Sequence, residues 1–147
     1  MGFGRVRPAL FGLLSAAVLA GAAFAADWPQ WGGRNQRNFA SDEKGIPATF
    51  SPGGEKTEGD RTVTVPPQNI KWAAKLGSQT YGNPTVSGGK VFIGDEKGKV
   101  TVLAAAKEKK VLHEVNFGVP VYTTPIVANG VLYIASQTHL YAIQAVK

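Results

Sequence analysis

The stretch GNPTVSGGKVFIGD at residues 82–95 returns as TTPIVANGVLYIAS at residues 123–136, 41 residues later. Pro84 corresponds to Pro125, Val86 to Val127, Gly89 to Gly130 and Ile93 to Ile134. The match extends on both sides. IKWAAKLG (70–77) aligns with VLHEVNFG (111–118) at the same offset, and KVTVL (99–103) with HLYAI (139–143) after a one-residue deletion. A unit of this length cannot bury its apolar surfaces alone, so a chain that repeats it must stack one copy on the next.

The content of each unit is β. From Asn69 onward, short runs of β-branched and aromatic residues are separated by Gly, Asn and Asp, which reads as strands joined by turns. Eight strands are predicted, over 70–76, 83–87, 90–94, 99–103, 111–116, 124–128, 131–135 and 139–143. LAAAKEKK (103–110) comes nearest to a helical pattern, and it is short and bracketed by strands. In KVFI, Val91 and Ile93 point one way and Phe92 the other; VLYI repeats this with Leu132 and Ile134 against Tyr133. Apolar residues on both faces predict sheets covered on both sides. Four short strands per period of about 40 residues are the mark of propeller blades. The expected fold is therefore all-β, a partial β-propeller of about two four-stranded blades over 68–147. Residues 26–67, dense in Gly, Pro, Asn and charge, read as an irregular segment before it.

The N-terminus carries a different message. Arg5 and Arg7 precede an apolar run and the small-x-small triplet Ala23-Phe24-Ala25, the layout of a secretory signal peptide over 1–25 cleaved after about Ala25. The apolar run is shorter than the roughly 20 residues of a spanning helix. Export to the periplasm or beyond is the expectation, with no membrane association after cleavage. The chain has 16 Lys+Arg against 10 Asp+Glu; removing Arg5 and Arg7 leaves a mature charge of +4. That scattered charge speaks for solubility and against a nucleic-acid partner. The chain has no cysteine, so packing rather than a disulfide framework must hold it.

The repeats GNPTVSGGKVFIG and TTPIVANGVLYIAS…LYAI, and the leader DWPQWGGRNQRN before NIKWAAKLGSQTYGNP, resemble the pyrroloquinoline-quinone-like (PQQ-like) β-propeller proteins of bacteria. The chain looks like the beginning and the end of a longer exported member, with the middle blades missing around 94–98. The resemblance implies that 70–76 supplies the outer strand of the last blade, since 124–143 holds three strands and 83–116 holds four. Two blades cannot close a ring, which calls for a protein partner or self-association, or marks an internal-deletion remnant.

The resemblance also raises a quinoprotein (PQQ-dependent) dehydrogenase-like oxidoreductase, with PQQ and Ca²⁺ held by several chains together. The departures argue against it within one chain. Ala104–Ala106 stand where the family's inter-blade Asp belongs, KEKK (107–110) replaces its Thr-Gly, and His113 replaces its Trp; Trp72 keeps the Trp position. No catalytic, cofactor-binding or metal-ligating residue is assigned, and the expected function is non-catalytic, a scaffold or interaction module.

Isolated features give no catalytic constellation. His113 and His139 lack metal-ligand spacing and are expected at strand edges. Asp95 and Glu96 could pair for acid–base work, but neighbours on a strand diverge, so a solvated turn is expected. GDEKGKV and SGGKV lack phosphate-loop spacing, and no Gly-x-Ser-x-Gly elbow occurs. DWPQWGG is the most pointed stretch outside the repeats. Trp28 and Trp31, with Arg34 and Arg37 nearby to stack on them, offer a partner or carbohydrate platform, though a structural strap across the sheets is the favoured reading. The Lys107–Lys110 run reads as a solvated loop.

Overall fold

Strand pairing divides the chain into three antiparallel sheets, none of them closed, and no helix occurs among the described residues of this all-β protein. The computed structural model describes residues 27–33 and 43–145. The signal peptide expected over 1–25, Arg34 and Arg37 lie outside the described residues.

The first hairpin, β1 (Gly54–Glu58) with β2 (Arg61–Val65), falls in the segment expected to be irregular. Its charged, solvent-facing strands hide the pattern, since every residue of both is exposed. Only the Thr-Val-Thr-Val alternation at 62–65 signals a strand. Ser51 and Gln68 exchange backbone hydrogen bonds of 3.0 and 2.9 Å at its base.

The two repeats form the other sheets. The first contains β3 (Thr85–Ser87), β4 (Lys90–Gly94), β5 (Lys99–Ala104) and β6 (Val111–Asn116), paired in chain order. The second contains β7 (Ile126–Ala128), β8 (Val131–Ala135) and β9 (Leu140–Ile143). Equivalent two-residue turns join the first two strands of each. Gly88-Gly89 has φ of 54° and 71°, and Asn129-Gly130 has 52° and 74°, the paired left-handed geometry that matches strand twist and that Asn and Gly adopt cheaply.

Seven of the eight predicted strands form. The exception is 70–76, which makes no strand at all. Instead Trp72 and the residues just after the segment are tied to the first sheet. The Trp72 Nε1–H donates to the Ala106 carbonyl at 3.1 Å, just past β5. The Glu96 N–H donates to the Gln79 carbonyl at 3.1 Å, just before β5. The segment alternates, with Ile70, Trp72, Ala74 and Leu76 half-buried and Lys71, Ala73 and Lys75 exposed. It has the side-chain period of a strand but makes no ladder. The expected fourth strand of the second sheet is therefore missing.

The core lies between the repeats. Val100 of β5, Ile134 of β8 and Val121 of the connection between β6 and β7 are buried together, with Phe117 and Leu132 packed against them. Thr101 and Leu103 of β5 are also buried, so this inner strand is covered on both faces; in β4, whose KVFI pattern predicted such cover, Val91, Phe92 and Ile93 are half-buried. Beyond the core the cover thins. Leu140 of β9 is 70% exposed, and Ile126 and Ile143 are exposed on the same sheet.

Candidate functional site

The repeats meet through corresponding residues. Tyr81 and Tyr122, 41 apart, touch edge to face with ring centroids 5.3 Å apart. Next along the seam, a methyl group at Gly82 would lie 2.6 Å from the Thr123 carbonyl oxygen. The Asn83 N–H donates to Thr124 Oγ1 at 3.0 Å, and buried Thr85 Oγ1 donates to the Pro125 carbonyl. Each position of the first unit thus faces its counterpart in the second, or that counterpart's neighbour. Away from these pairs the contacts join non-equivalent positions, as where the Asp95 carbonyl accepts from the Val121 N–H at 3.0 Å, so the seam as a whole is heterologous.

The segment 27–33 crosses this seam. The Trp28 N–H donates to the Val86 carbonyl at 2.7 Å and the Val86 N–H returns the bond at 3.0 Å, while the Val127 N–H donates to the Pro29 carbonyl at 2.9 Å. Asp27 Oδ1 accepts from the Gly88 N–H at 3.1 Å. One short stretch therefore holds β3 and β7, the first strands of both units. The Gln30–Gly33 turn then folds back under the Trp28 ring, closed by a 2.9 Å bond from the Gly33 N–H to the Gln30 carbonyl. Gly33 has φ of 76°, and a Cβ there would sit 2.8 Å from the indole carbons; only glycine fits both demands.

The turn and the seam enclose an open cleft of about 550 Å³, lined by Trp28, Trp31, Gly32, Asn83, Pro84 and Val86. Its walls are mostly apolar, and Trp31 is 60% exposed at the rim. Trp28 is both strap and wall, so the two roles weighed for DWPQWGG divide between its two tryptophans. Among the described residues, Asn83 is the one side-chain amide lining the cleft, and no carboxylate lines it. That donor set does not fit Ca²⁺, which takes six to eight oxygens.

The carboxylates lie elsewhere. Asp95 is 2% exposed, which corrects the expectation of a solvated turn pair. Its Oδ1 accepts from the Lys97 and Lys99 N–H groups at 2.9 and 2.8 Å, and its carbonyl accepts from Val121 N–H at 3.0 Å. It is a cap whose bonding satisfies the β4–β5 turn. Half-buried Glu96 diverges from it and accepts from Ser78 Oγ. Sequence reading missed Asp95's role because its cover comes from residues distant in the chain, Val121, which bonds its carbonyl, and Gly77, which packs against its carboxylate.

The histidines sit at the predicted edges. His113 pairs in register with Val102 on the exposed strand β6. His139 opens β9, with Nδ1 2.8 Å from Thr138 Oγ1. Lys107–Lys110 are exposed. Glu114 forms an ion pair with Lys99 at 3.0 Å. The Lys99 hydrogen bond and charge hold its carboxyl below the ordinary range, aided by Thr101 Oγ1. Among the described residues, no group of three or more His, Asp or Glu gathers as a metal site. No protein-family model matches the chain, and no curated protein is significantly similar to it.

Proposed function

We propose that this chain is an exported, non-catalytic repeat protein, two PQQ-like blades of a partial β-propeller that serve as a scaffold or protein-interaction module. The observation that carries this reading is the seam. Equivalent residues of the two units meet there beside non-equivalent contacts such as Val121 with Asp95, the arrangement expected of blades stacked around an axis. The second sheet adds an open edge at β9, with Leu140 and Ile143 exposed. Such a row of unpaired backbone groups recruits a strand from a partner unless it is blocked. The polar side chains of the two β-turns, Asp95 and Ser136, are engaged in capping backbone N–H groups, which supports a structural role for them.

Two measurements on the purified product test this. Sedimentation should find a discrete oligomer or a stable complex with a partner, and a monomer with no partner would count against the module. Titration with the quinone and Ca²⁺ should leave the absorption spectrum and the thermal midpoint unmoved. A shift in either would favour the multi-chain oxidoreductase.

The cleft favours one second reading, an apolar or carbohydrate ligand stacked on Trp31 beside Trp28. Ligand binding there quenches indole fluorescence in the parent and less in Trp31→Ala. Equal quenching in both removes that reading.

A further inference from the structure

A shift of 41 residues maps one contact of this molecule onto another. The Glu96 N–H donates to the Gln79 carbonyl at 3.1 Å; adding 41 to both numbers gives the bond from the Gln137 N–H to the Pro120 carbonyl, present at 2.8 Å. Gln79 follows the unpaired segment 70–76, and Pro120 follows β6. The segment 70–76 therefore approaches the first sheet as β6 and its connection approach the second. Since β6 is the outer strand of the sheet that precedes the second unit, 70–76 stands where the outer strand of a sheet preceding the first unit would stand. Among the described residues, the other three strands of that sheet do not precede it.

A sheet of three strands that lacks an outer one is nevertheless present in every copy, namely β7–β8–β9. We infer that Ile70–Leu76 of one copy adds to the β9 edge of a second copy as its fourth strand, linking copies head to tail. This rests on the reading of the two sheets as equivalent stacked units. The register follows from the first sheet, where Val100 pairs with Val115, Thr101 with Glu114 and Val102 with His113. Carried over by the repeat, Leu140 faces Ala74, Tyr141 faces Ala73 and Ala142 faces Trp72 of the second copy. The same step sets Tyr122 of one copy against Tyr81 of the next, repeating the contact made within the chain. Leu140 becomes covered, and the ladder groups of 70–76 gain partners. The interface is heterologous, so assembly closes a ring or grows as a filament.

The absence of native cysteine makes the register directly testable. Opposed residues of an antiparallel pair lie within disulfide reach. Single variants Ala74→Cys and Leu140→Cys, expressed from the full coding sequence, purified reduced, mixed and oxidised, should yield a disulfide joining position 74 of one chain to 140 of another. Lys71→Cys mixed with Leu140→Cys, out of register, should yield severalfold less. Equal yields from the two mixtures, or no mixed disulfide while circular dichroism shows intact β structure, would overturn the inference. So would an Ala74→Cys/Leu140→Cys double variant that closes its disulfide within one chain. If either cysteine variant fails to fold, the unmodified chain decides, because a monomer at every concentration in sedimentation overturns head-to-tail pairing. A discrete oligomer without the 74–140 link would sink this inference and leave the module reading standing. A response to quinone with Ca²⁺ would sink the non-catalytic reading and leave the strand exchange untouched.

Discussion

The two repeat sheets descend from one pattern and end in different states. The first has four strands, a carboxylate-capped turn and cover on both faces of β5; the second stops at three strands, and the last strand of each, β6 and β9, is open to solvent. Equivalent positions show where the difference arises. Asp95 closes the first turn with a carboxylate that accepts two backbone N–H groups, and Ser136, its counterpart, closes the second with a hydroxyl. Both turns carry the same backbone bond, Asp95 N–H to the Lys99 carbonyl at 2.9 Å and Ser136 N–H to the His139 carbonyl at 2.8 Å. The lesson is that the repeat sets the strand framework, while neighbours beyond the repeat decide how firmly each unit is held.

The largest effect should come from the core that both sheets share. Ile134→Ala removes a fully buried side chain packed against Val100 and Val121, and should cost about 2–5 kcal/mol in denaturant unfolding. Leu140→Ala on the same sheet, at an exposed position, should change the dilute chain by no more than ~0.5 kcal/mol. Comparable losses at the two sites would mean that β9 is not an open edge.

Next come the turns. Asp95→Ala strands two partly buried backbone donors and should cost on the order of 1–3 kcal/mol. Ser136→Ala acts in an exposed turn and should cost clearly less in the same thermal melts. A reversed order would break the contrast between the sheets. At the seam, Gly82→Ala drives a methyl group into the Thr123 backbone and should cost about 1–3 kcal/mol. The seam predicts that it loosens amide protection in β3 and β7 before β5 and β6.

The smallest effect belongs to the Lys99–Glu114 pair of the first sheet. Its partners are partly exposed, so solvent screens it. Because the Glu114 carboxyl is held below its ordinary value, the pair stabilises the fold above the unfolded carboxylate pKa of about 4.3. That contribution fades as pH falls through the lower folded value. Glu114→Gln should therefore narrow a slight stability difference between pH 6 and pH 3, and an unchanged difference would show that the pair contributes nothing.

Where sequence reading succeeded, the determinants were local. Alternation in KVFI and VLYI, Gly88-Gly89 and Asn129-Gly130 at the turns, and the 41-residue period were enough to place seven strands and their two groups. The misses share a cause of another kind. The exposed hairpin Gly54–Val65 has no apolar face to betray it. Asp95 looked like a surface turn residue because its cover comes from residues far along the chain. The cleft is built by Trp28 and Trp31 against Asn83, Pro84 and Val86, more than 50 residues away, so both tryptophans were legible as candidates but their enclosure was not.

From its amino acids alone this chain specified strands, turns and a stacked pair of units, because side-chain alternation and left-handed turn geometry act over a few residues. Only the tertiary structure decided that 27–33 straps the seam and that 70–76 runs along the first sheet without joining a ladder. Strand identity requires a partner edge, and which edge lies within hydrogen-bonding reach is a property of the assembled fold rather than of any short stretch within it.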